Sequence, residues 1–251
     1  MKHTLMKTTL GVCAALGLAV SAQADTQGVT DTEVLVGSNQ DMSGIFAAFG
    51  APAITAANLY FDEVNATGGV HGRQIRLVVE DHGYQMPKAM SALNKLVNSD
   101  KVFAMLLSLG TPMNIASFPL LEKKGIPNIS PLTAARQMIE PPSPIKYAGT
   151  SSYYAQMVTA VTYMKENEGV TKVCSMYIPS DFGLEIQEAT VDVAKDLGIS
   201  FAAETKHKPD ELDFVGSLTK LKSEGCELIS IALGVRQVIT AVGTAKKIGW
   251  T

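Results

Sequence analysis

The seven residues SLGTPMN, from Ser108 to Asn114, combine a tight turn with residue types that can bind an anion. The apolar run before them predicts a buried strand that ends near Leu109. Thr111 followed by Pro112 is typical of a helix start, where a hydroxyl caps a free N–H and the proline ring already has a helical φ. Because a helix N-terminus attracts negative charge, the turn predicts either a plain helix cap or an anion site.

Motifs that carry out catalysis are absent from the sequence. No G-x-G-x-x-G follows a predicted strand, and neither a phosphate-binding G-x-x-x-x-G-K-[ST] nor a G-x-S-x-G elbow occurs. His71, His82 and His207 are scattered without metal-ligand spacing, and the adjacent Asp62 and Glu63 would point away from each other on a helix. We therefore predict a binding protein rather than an enzyme, with no cofactor and no metal, although a site assembled across the fold would escape such a scan.

The first 24 residues have the pattern of a secretory signal peptide. Lys2 and Lys7 precede the apolar run LGVCAALGLAV, which is followed by an Ala-x-Ala sequence at residues 22–24. The pattern predicts export and cleavage after Ala24, and a buried first helix is the alternative. The apolar run is too short to serve as a membrane anchor.

The exported chain would be acidic and would hold two cysteines. Loss of the two leader lysines takes the formal net charge from −3 to −5. Nucleic acids and anionic membrane surfaces require a basic face, so we predict neither as a partner. Cys174 and Cys226 could form a disulfide in an oxidising compartment, or could serve as two small buried apolar side chains.

Apolar runs and helical patterns alternate in two series, which predicts parallel sheets covered by helices. The first series predicts strands at 33–38, 74–80, 102–109 and 126–130, with helices at 53–68, 87–98 and 112–124. The second predicts strands at 170–178, 199–204 and 228–233, with helices at 183–197, 214–224 and 235–248. The proline-rich stretch EPPSPIKYAGTSSYY separates them. We predict an α/β fold of two doubly wound domains, 25–148 and 149–251, that are joined by a hinge and enclose a cleft.

The sequence from Val34 to Trp250 resembles the type I periplasmic solute-binding proteins of ABC transporters, the family of the branched-chain amino-acid receptors. The resemblance rests on a loop S-G-x-x-A-x-x-G, a helix end N-A-x-G-G-V-x-G-R, and Glu80-Asp81 before Pro87. It continues through LGTPMNIA, GIPNISP, YIPSDFGLEIQE and AKKIGW. The segments DHGYQMPKA and LGTPMN look most like the subgroup that takes up aromatic and other hydrophobic carboxylic acids.

The resemblance implies that two domains close over a small solute and deliver it to a membrane permease, as a monomer in the periplasm. It also implies that the turn after the third strand grips the ligand carboxylate through backbone N–H groups and a hydroxyl. The matching positions are Leu109, Gly110 and Thr111.

Further ligand contacts are implied in other loops. Phe49 falls where the family often has an aromatic covering the ligand, with ordinary packing as the alternative, and Phe182 matches an aromatic that closes from the second domain. The remaining candidates are Ser130, Leu132 and Thr133 in the loop after Ile129 and, by position alone, Tyr153 and Tyr154.

Two features depart from the family pattern. Where the amino-acid receptors often place an aromatic after the last strand, this chain has Gly234, Val235 and Arg236. Arg236 could face a ligand anion, and a solvated arginine at a helix start is the alternative. Family members normally continue well beyond the equivalent of Trp250, completing both domains and supplying the acid that holds an α-ammonium. We therefore expect an incomplete second domain without an identifiable anchor for an amino group.

These observations favour the solute-binding component of an ABC importer that captures a small carboxylate, either a hydrophobic or aromatic acid or an apolar amino acid. A ligand-sensing protein on the same fold, a secreted α/β enzyme and a truncated fragment without binding activity are the alternatives.

Overall fold

The computed structural model describes residues 26–250, so the predicted signal peptide lies outside the described residues. The strands are β1 Glu33–Gln40, β2 Gln74–Asp81, β3 Ala104–Leu106, β4 Asn128–Ile129, β5 Lys146–Tyr147, β6 Lys172–Tyr177, β7 Ser200–Lys206 and β8 Leu228–Ala232. The α-helices are α1 Ala47–Ala66, α2 Met86–Asn94, α3 Thr111–Lys124, α4 Tyr153–Glu168, α5 Asp181–Asp196, α6 Val215–Ser223 and α7 Val235–Lys247. No helix within this range is long and apolar enough to cross a membrane.

The strands form two parallel sheets, as the alternation of patterns predicts. The first sheet has the order β2-β1-β3-β4-β5 and the second has the order β7-β6-β8. In the first, Val36 of β1 pairs with Leu77 of β2 on one side and with Ala104 of β3 on the other. Because every strand is parallel to its neighbours, the loops after the strands gather at one edge of each sheet.

Three details of the first sheet differ from the predicted elements. Strand β3 covers three residues rather than 102–109, because Leu107 has a left-handed φ of 55° that ends the extended conformation. Helix α2 ends at Asn94 and is followed by a π-helical turn, Lys95–Ser99. The short strand β5 lies inside the proline-rich stretch, where no strand is predicted.

Helix α1 exposes a face that the sequence predicts to be buried. The spacing of the apolar residues in this segment, Leu59 and Tyr60 among them, predicts one inward face. Leu59 and Tyr60 are instead 67% and 64% exposed, while Gly50 and Ile54 are the buried residues of this helix. The prediction was wrong because a hydrophobic stripe on a helix indicates a covered face only when a neighbouring element is present to cover it.

A hydrophobic core accompanies each sheet. In the first, Leu93, Leu96 and Phe118 pack against the strands; in the second, Met176, Phe214 and Leu221 do so. Cys174 on β6 forms a disulfide with Cys226, just before β8, with the two Cα atoms 5.8 Å apart. The disulfide interpretation of the two cysteines is therefore the one that the structure adopts.

Candidate functional site

A cavity of about 410 Å³ lies where the loops after the strands of the two sheets face each other. Its walls come from the segments that follow β1, β2, β3, β4, β5, β6 and β8, the position at which α/β sheets bind ligands. The lining residues are Phe46, Phe49, Tyr84, Leu109, Thr111, Pro131, Leu132, Thr133, Ala134, Thr150, Tyr153, Gln156, Phe182 and Leu233.

The lining of this cleft is apolar and uncharged. Five of its fourteen residues are aromatic, and none carries a formal charge. The side-chain polar groups are three threonine hydroxyls, two phenol hydroxyls and the amide of Gln156. Such a surface can bury an apolar body and orient it through a few hydrogen bonds.

Thr111 lines the cleft at the N-terminus of α3, but it does not cap the helix. Gly110 is the N-cap residue, with a φ of 102° that a glycine adopts without strain. The Thr111 hydroxyl lies 2.6 Å from that of Thr133, which also accepts a hydrogen bond from the N–H of Ala135. The predicted cap was wrong because Thr111 already belongs to the first helical turn, and a cap side chain must come from the residue before it.

The backbone N–H groups of this turn differ in their availability. The N–H of Leu109 donates to the carbonyl of Asn39 at 2.9 Å, and that of Gly110 makes a long contact of 3.5 Å with the carbonyl of Leu132. Thr111 is the first residue of α3, so no carbonyl one turn earlier in the helix is positioned to accept from its N–H. Of the three predicted positions, Thr111 offers the clearest donor group.

Aromatic rings form a continuous chain across the cleft. Phe46 lies 4.6 Å from Tyr84 and 5.8 Å from Phe182, and Phe182 lies 5.3 Å from Tyr153, all measured between ring centroids. The first two residues follow strands of the first sheet, whereas Phe182 follows β6 of the second. Phe49 lines the cleft with 55% of its surface exposed. Aromatic contacts of this geometry are favourable beyond simple burial, so they join the two walls.

The buried carboxylate of Asp41 positions Phe46. Its two oxygens accept hydrogen bonds from the N–H groups of Gly44 and Phe46, the latter at 2.8 Å. These bonds shape the loop after β1 into a turn. Ile45, between the two donors, packs against the core of the second sheet, so the loop reaches both walls of the cleft.

A buried histidine links two of the cleft loops. His82 is fully buried; its Nε2 lies 3.2 Å from the carbonyl oxygen of Leu109, and its Nδ1 accepts from the N–H of Tyr84 at 2.9 Å. Burial lowers the pKa of His82 below its usual value. A neutral ring with its proton on Nε2 satisfies both contacts, so this side chain holds Tyr84 beside the turn that carries Thr111.

Four candidates from the sequence are not among the lining residues: Gly110, Ser130, Tyr154 and Arg236. Ser130 donates its N–H to the carbonyl of Tyr147, as part of the strand pairing. Tyr154 donates its hydroxyl to Asp192 at 2.8 Å, because adjacent residues on a helix point in different directions and Tyr153 takes the cleft side. Arg236 is exposed in the first turn of α7, which agrees with the solvated alternative.

Seven lining residues are missing from the sequence-based candidates: Phe46, Tyr84, Pro131, Ala134, Thr150, Gln156 and Leu233. Phe46 stands inside the S-G-x-x-A-x-x-G loop, yet the motif alone does not decide whether it or Phe49 points inward. Gln156 follows Tyr153 by three residues on α4, so helical spacing could have identified it.

A model of the family described as periplasmic binding protein matches residues 33–251. This chain belongs to that family. Among curated relatives, it is 25% identical to an amino acid binding protein of Pseudomonas aeruginosa over 88% of this chain and 57% of that protein. It is 26% identical to the Leu/Ile/Val/Thr-binding protein of Salmonella typhimurium, over 89% of this chain and 59% of the relative.

Solved structures agree with the fold of this periplasmic binding protein. A fatty acid ABC transporter substrate-binding protein from Thermomonospora curvata matches with a TM-score of 0.82 and 29% identity, over 89% of this chain and 57% of that chain. The relatives are binding proteins rather than enzymes, as the sequence predicts. This chain spans somewhat more than half the length of the relatives that it matches.

The burial of His82 predicts a pH-dependent stability for this periplasmic binding protein. Its folded-state pKa lies below the ordinary value of 6.5, so between the two values the unfolded chain binds more protons than the folded one. The free energy of unfolding should therefore fall as the pH is lowered through this window, by up to about 1.4 kcal/mol per pH unit.

We expect the free energy of unfolding of His82→Gln to depend less steeply on pH than that of the wild type, when both are measured by urea unfolding between pH 7.5 and 5.5. His71→Gln, at an exposed histidine, is the control and should keep the wild-type slope. If the pH dependence of His82→Gln equals that of the wild type, then His82 is not its source.

Proposed function

We propose that this chain forms the ligand-capturing cleft of a periplasmic solute-binding component of an ABC importer, and that its ligand is a small hydrophobic or aromatic carboxylate. The proposal rests on one observation: an uncharged, aromatic-lined cleft has two of its hydroxyls, those of Thr111 and Thr133, paired at the N-terminus of α3. The apolar body of an acid would pack on the rings, and its head group would accept from the donors at this turn.

The number of protons on the two threonine hydroxyls supports an anionic head group. The two hydroxyls carry two protons, and one of these is shared between the oxygens 2.6 Å apart. The other proton can be donated to a ligand, together with the N–H of Thr111. Hydrogen bonds to a charged acceptor are stronger than neutral ones, so a carboxylate gains more from this turn than an amide or an alcohol.

An apolar amino acid is the second candidate, because two curated relatives carry amino acid-binding names. It would place its carboxylate at the same turn. None of the fourteen lining residues described here is an acid, so this part of the cleft offers an α-ammonium no carboxylate partner. The similarity to a fatty acid-binding neighbour at 29% identity favours an acid without an amino group.

Capture would proceed by closure of two domains, 25–148 and 149–251, about a hinge in the proline-rich connection. The ligand favours the closed state because both walls contact it only there, and a membrane permease would then receive it. Export with cleavage after Ala24 and a monomeric state complete the proposal. The ring contact between Phe46 and Phe182, which joins the two walls, is consistent with a closed arrangement.

The first test is ligand binding to the purified protein with and without the Thr111 hydroxyl. We expect 3-phenylpropanoate, octanoate or L-leucine to raise the melting temperature, and we expect calorimetry to give the affinity. Thr111→Val should weaken binding of the recognised acid at least about tenfold, since a hydrogen bond to a charged group contributes about 1.5–3 kcal/mol.

Thr150→Val is the matched control, because Thr150 also lines the cleft but donates its hydroxyl to the carbonyl of Ser151. It should bind like the wild type. If the wild type and Thr111→Val bind the acid equally well, the Thr111 turn does not hold the carboxylate. If the wild type binds none of the three probes, the proposed ligand class is rejected.

A further inference from the structure

We infer that Tyr84 is a ligand-binding residue that sets the specificity of this cleft, through a hydrogen bond from its hydroxyl to the acid head group at the Thr111 turn. The inference rests on the proposed function and adds to it a second side-chain donor. This donor lies in the loop after β2, whereas Thr111 lies after β3. The result would be a head-group site built from the loops after β2 and β3.

The ring of Tyr84 lies directly against the turn. A β-carbon placed on Gly110 would be 3.2 Å from Cε2 of Tyr84, the ring carbon next to the one that bears the hydroxyl. The residue at position 110 must therefore adopt a positive φ and must leave room for the Tyr84 ring. Tyr84 and Thr111 both line the cleft.

The backbone of Tyr84 is held in an uncommon conformation. Its φ is 57°, in the left-handed region that non-glycine residues seldom adopt. The N–H of Tyr84 is fixed by Nδ1 of His82, and Nε2 of the same ring lies against the carbonyl of Leu109. One buried side chain thus sets the distance between Tyr84 and the turn. A strained residue that is held in place beside a cleft is typical of a functional site.

The hydroxyl of Tyr84 has no hydrogen-bond partner within residues 26–250, whereas the hydroxyls of Tyr154 and Tyr177 donate to Asp192 and Glu204. Burial, together with Tyr153, Asp41 and Asp181, raises the pKa of Tyr84, so its phenol stays protonated and able to donate. A phenol in an apolar cleft loses hydration that a ligand acceptor can replace. Tyr153, which follows β5, brings a second phenol to the cleft, but Tyr84 is the one that lies against the turn.

Hydrogen bonding rather than ion pairing then determines which ligands bind. None of the fourteen lining residues described here is cationic, so in this part of the cleft the negative charge of a carboxylate would be met by neutral donors: the Thr111–Thr133 pair, the N–H of Thr111 and the hydroxyl of Tyr84. Removing one donor should weaken an acid more than its neutral amide, because the bond to the charged acceptor is the stronger one.

The experiment compares Tyr84→Phe with the wild type by calorimetry, using whichever of 3-phenylpropanoate, octanoate and L-leucine the wild type binds, together with the matching primary amide. Tyr84→Phe keeps the ring and its contact with Phe46. We expect its affinity for the acid to fall about tenfold, and we expect the ratio of its affinity for the acid to its affinity for the amide to decrease. Tyr154→Phe, whose hydroxyl lies away from the cleft, is the control and should bind like the wild type.

The outcomes separate this inference from the proposed function. If Thr111→Val weakens acid binding while Tyr84→Phe does not, the role of Tyr84 is rejected and the proposed function stands. If Tyr84→Phe weakens acid and amide equally, its hydroxyl does not distinguish a carboxylate from a neutral head group, and the specificity role is rejected. If the wild type binds none of the three acids, both proposals fall together.

Discussion

Replacing both Cys174 and Cys226 by alanine is expected to lower the free energy of unfolding by about 4 kcal/mol, the largest effect that we predict. The disulfide joins residues 52 positions apart, so it removes a large loop-closure entropy from the unfolded chain. Both residues are buried in the core of the second sheet, and the bond ties β6 to the segment before β8. Urea unfolding of the oxidised protein and of the double variant measures the difference.

The wild-type protein in reductant provides the matched comparison. It should approach the stability of the double variant, and the variant itself should not respond to reductant. Equal stability of the oxidised wild type and the variant would mean that the bond does not restrict the unfolded chain, or that it does not form in the exported protein.

Glu185→Leu is expected to lower the free energy of unfolding by about 2–4 kcal/mol, because it leaves two partly buried backbone donors without an acceptor. Glu185 is 3% exposed, and its carboxylate accepts from the N–H groups of Arg136 and Tyr154 at 3.0 and 3.1 Å. It thereby connects α5 of the second sheet to the segment that follows β4 and to the start of α4. We also expect weaker binding of the recognised acid, since this segment continues from the cleft residues Leu132–Ala134.

Glu185→Gln is the control, because it retains an oxygen acceptor of the same shape. Burial raises the pKa of Glu185, so the folded protein holds the proton more tightly than the unfolded chain, and ionisation lowers stability as the pH rises through the folded-state pKa. Gln removes that penalty at neutral pH, and we expect its stability to lie within about 1 kcal/mol of the wild type. A similar loss in both variants would show that the charge, and not the acceptor, is what this site requires.

Much of the fold follows from local patterns. Alternating apolar runs and helical periods predict the parallel strands of both sheets, since a strand buried on both faces and the helix that covers it each have a characteristic period. The bounds of β6 and α7 lie within a few residues of the predicted ones. The end of β3 before Leu107 was not predictable, because a residue with a left-handed φ leaves no periodic signal. The exposure of the apolar stripe of α1 was not predictable either, because the stripe does not show whether another element within residues 26–250 covers it.

The candidate site was predictable in part. The Gly-Thr-Pro turn pointed to a helix start, and the resemblance pointed to Phe49, Thr133 and Phe182, all of which line the cleft. The resemblance also implied Gly110 and Ser130, which do not line it. Of the two tyrosines named by position alone, Tyr153 lines the cleft and Tyr154 does not, because a shift of one residue on a helix turns a side chain away.

The sequence by itself determined that the chain builds two parallel α/β sheets and that a helix begins at the Gly-Thr-Pro turn. The tertiary structure alone decided that Thr111 pairs with Thr133, which lies 22 residues further along the chain, rather than capping its own helix. It also decided that His82 joins Tyr84 to Leu109 and that Cys174 bonds to Cys226. Periodicity and capping act over a few residues, whereas these contacts depend on the distances between strands that only the assembled sheets establish.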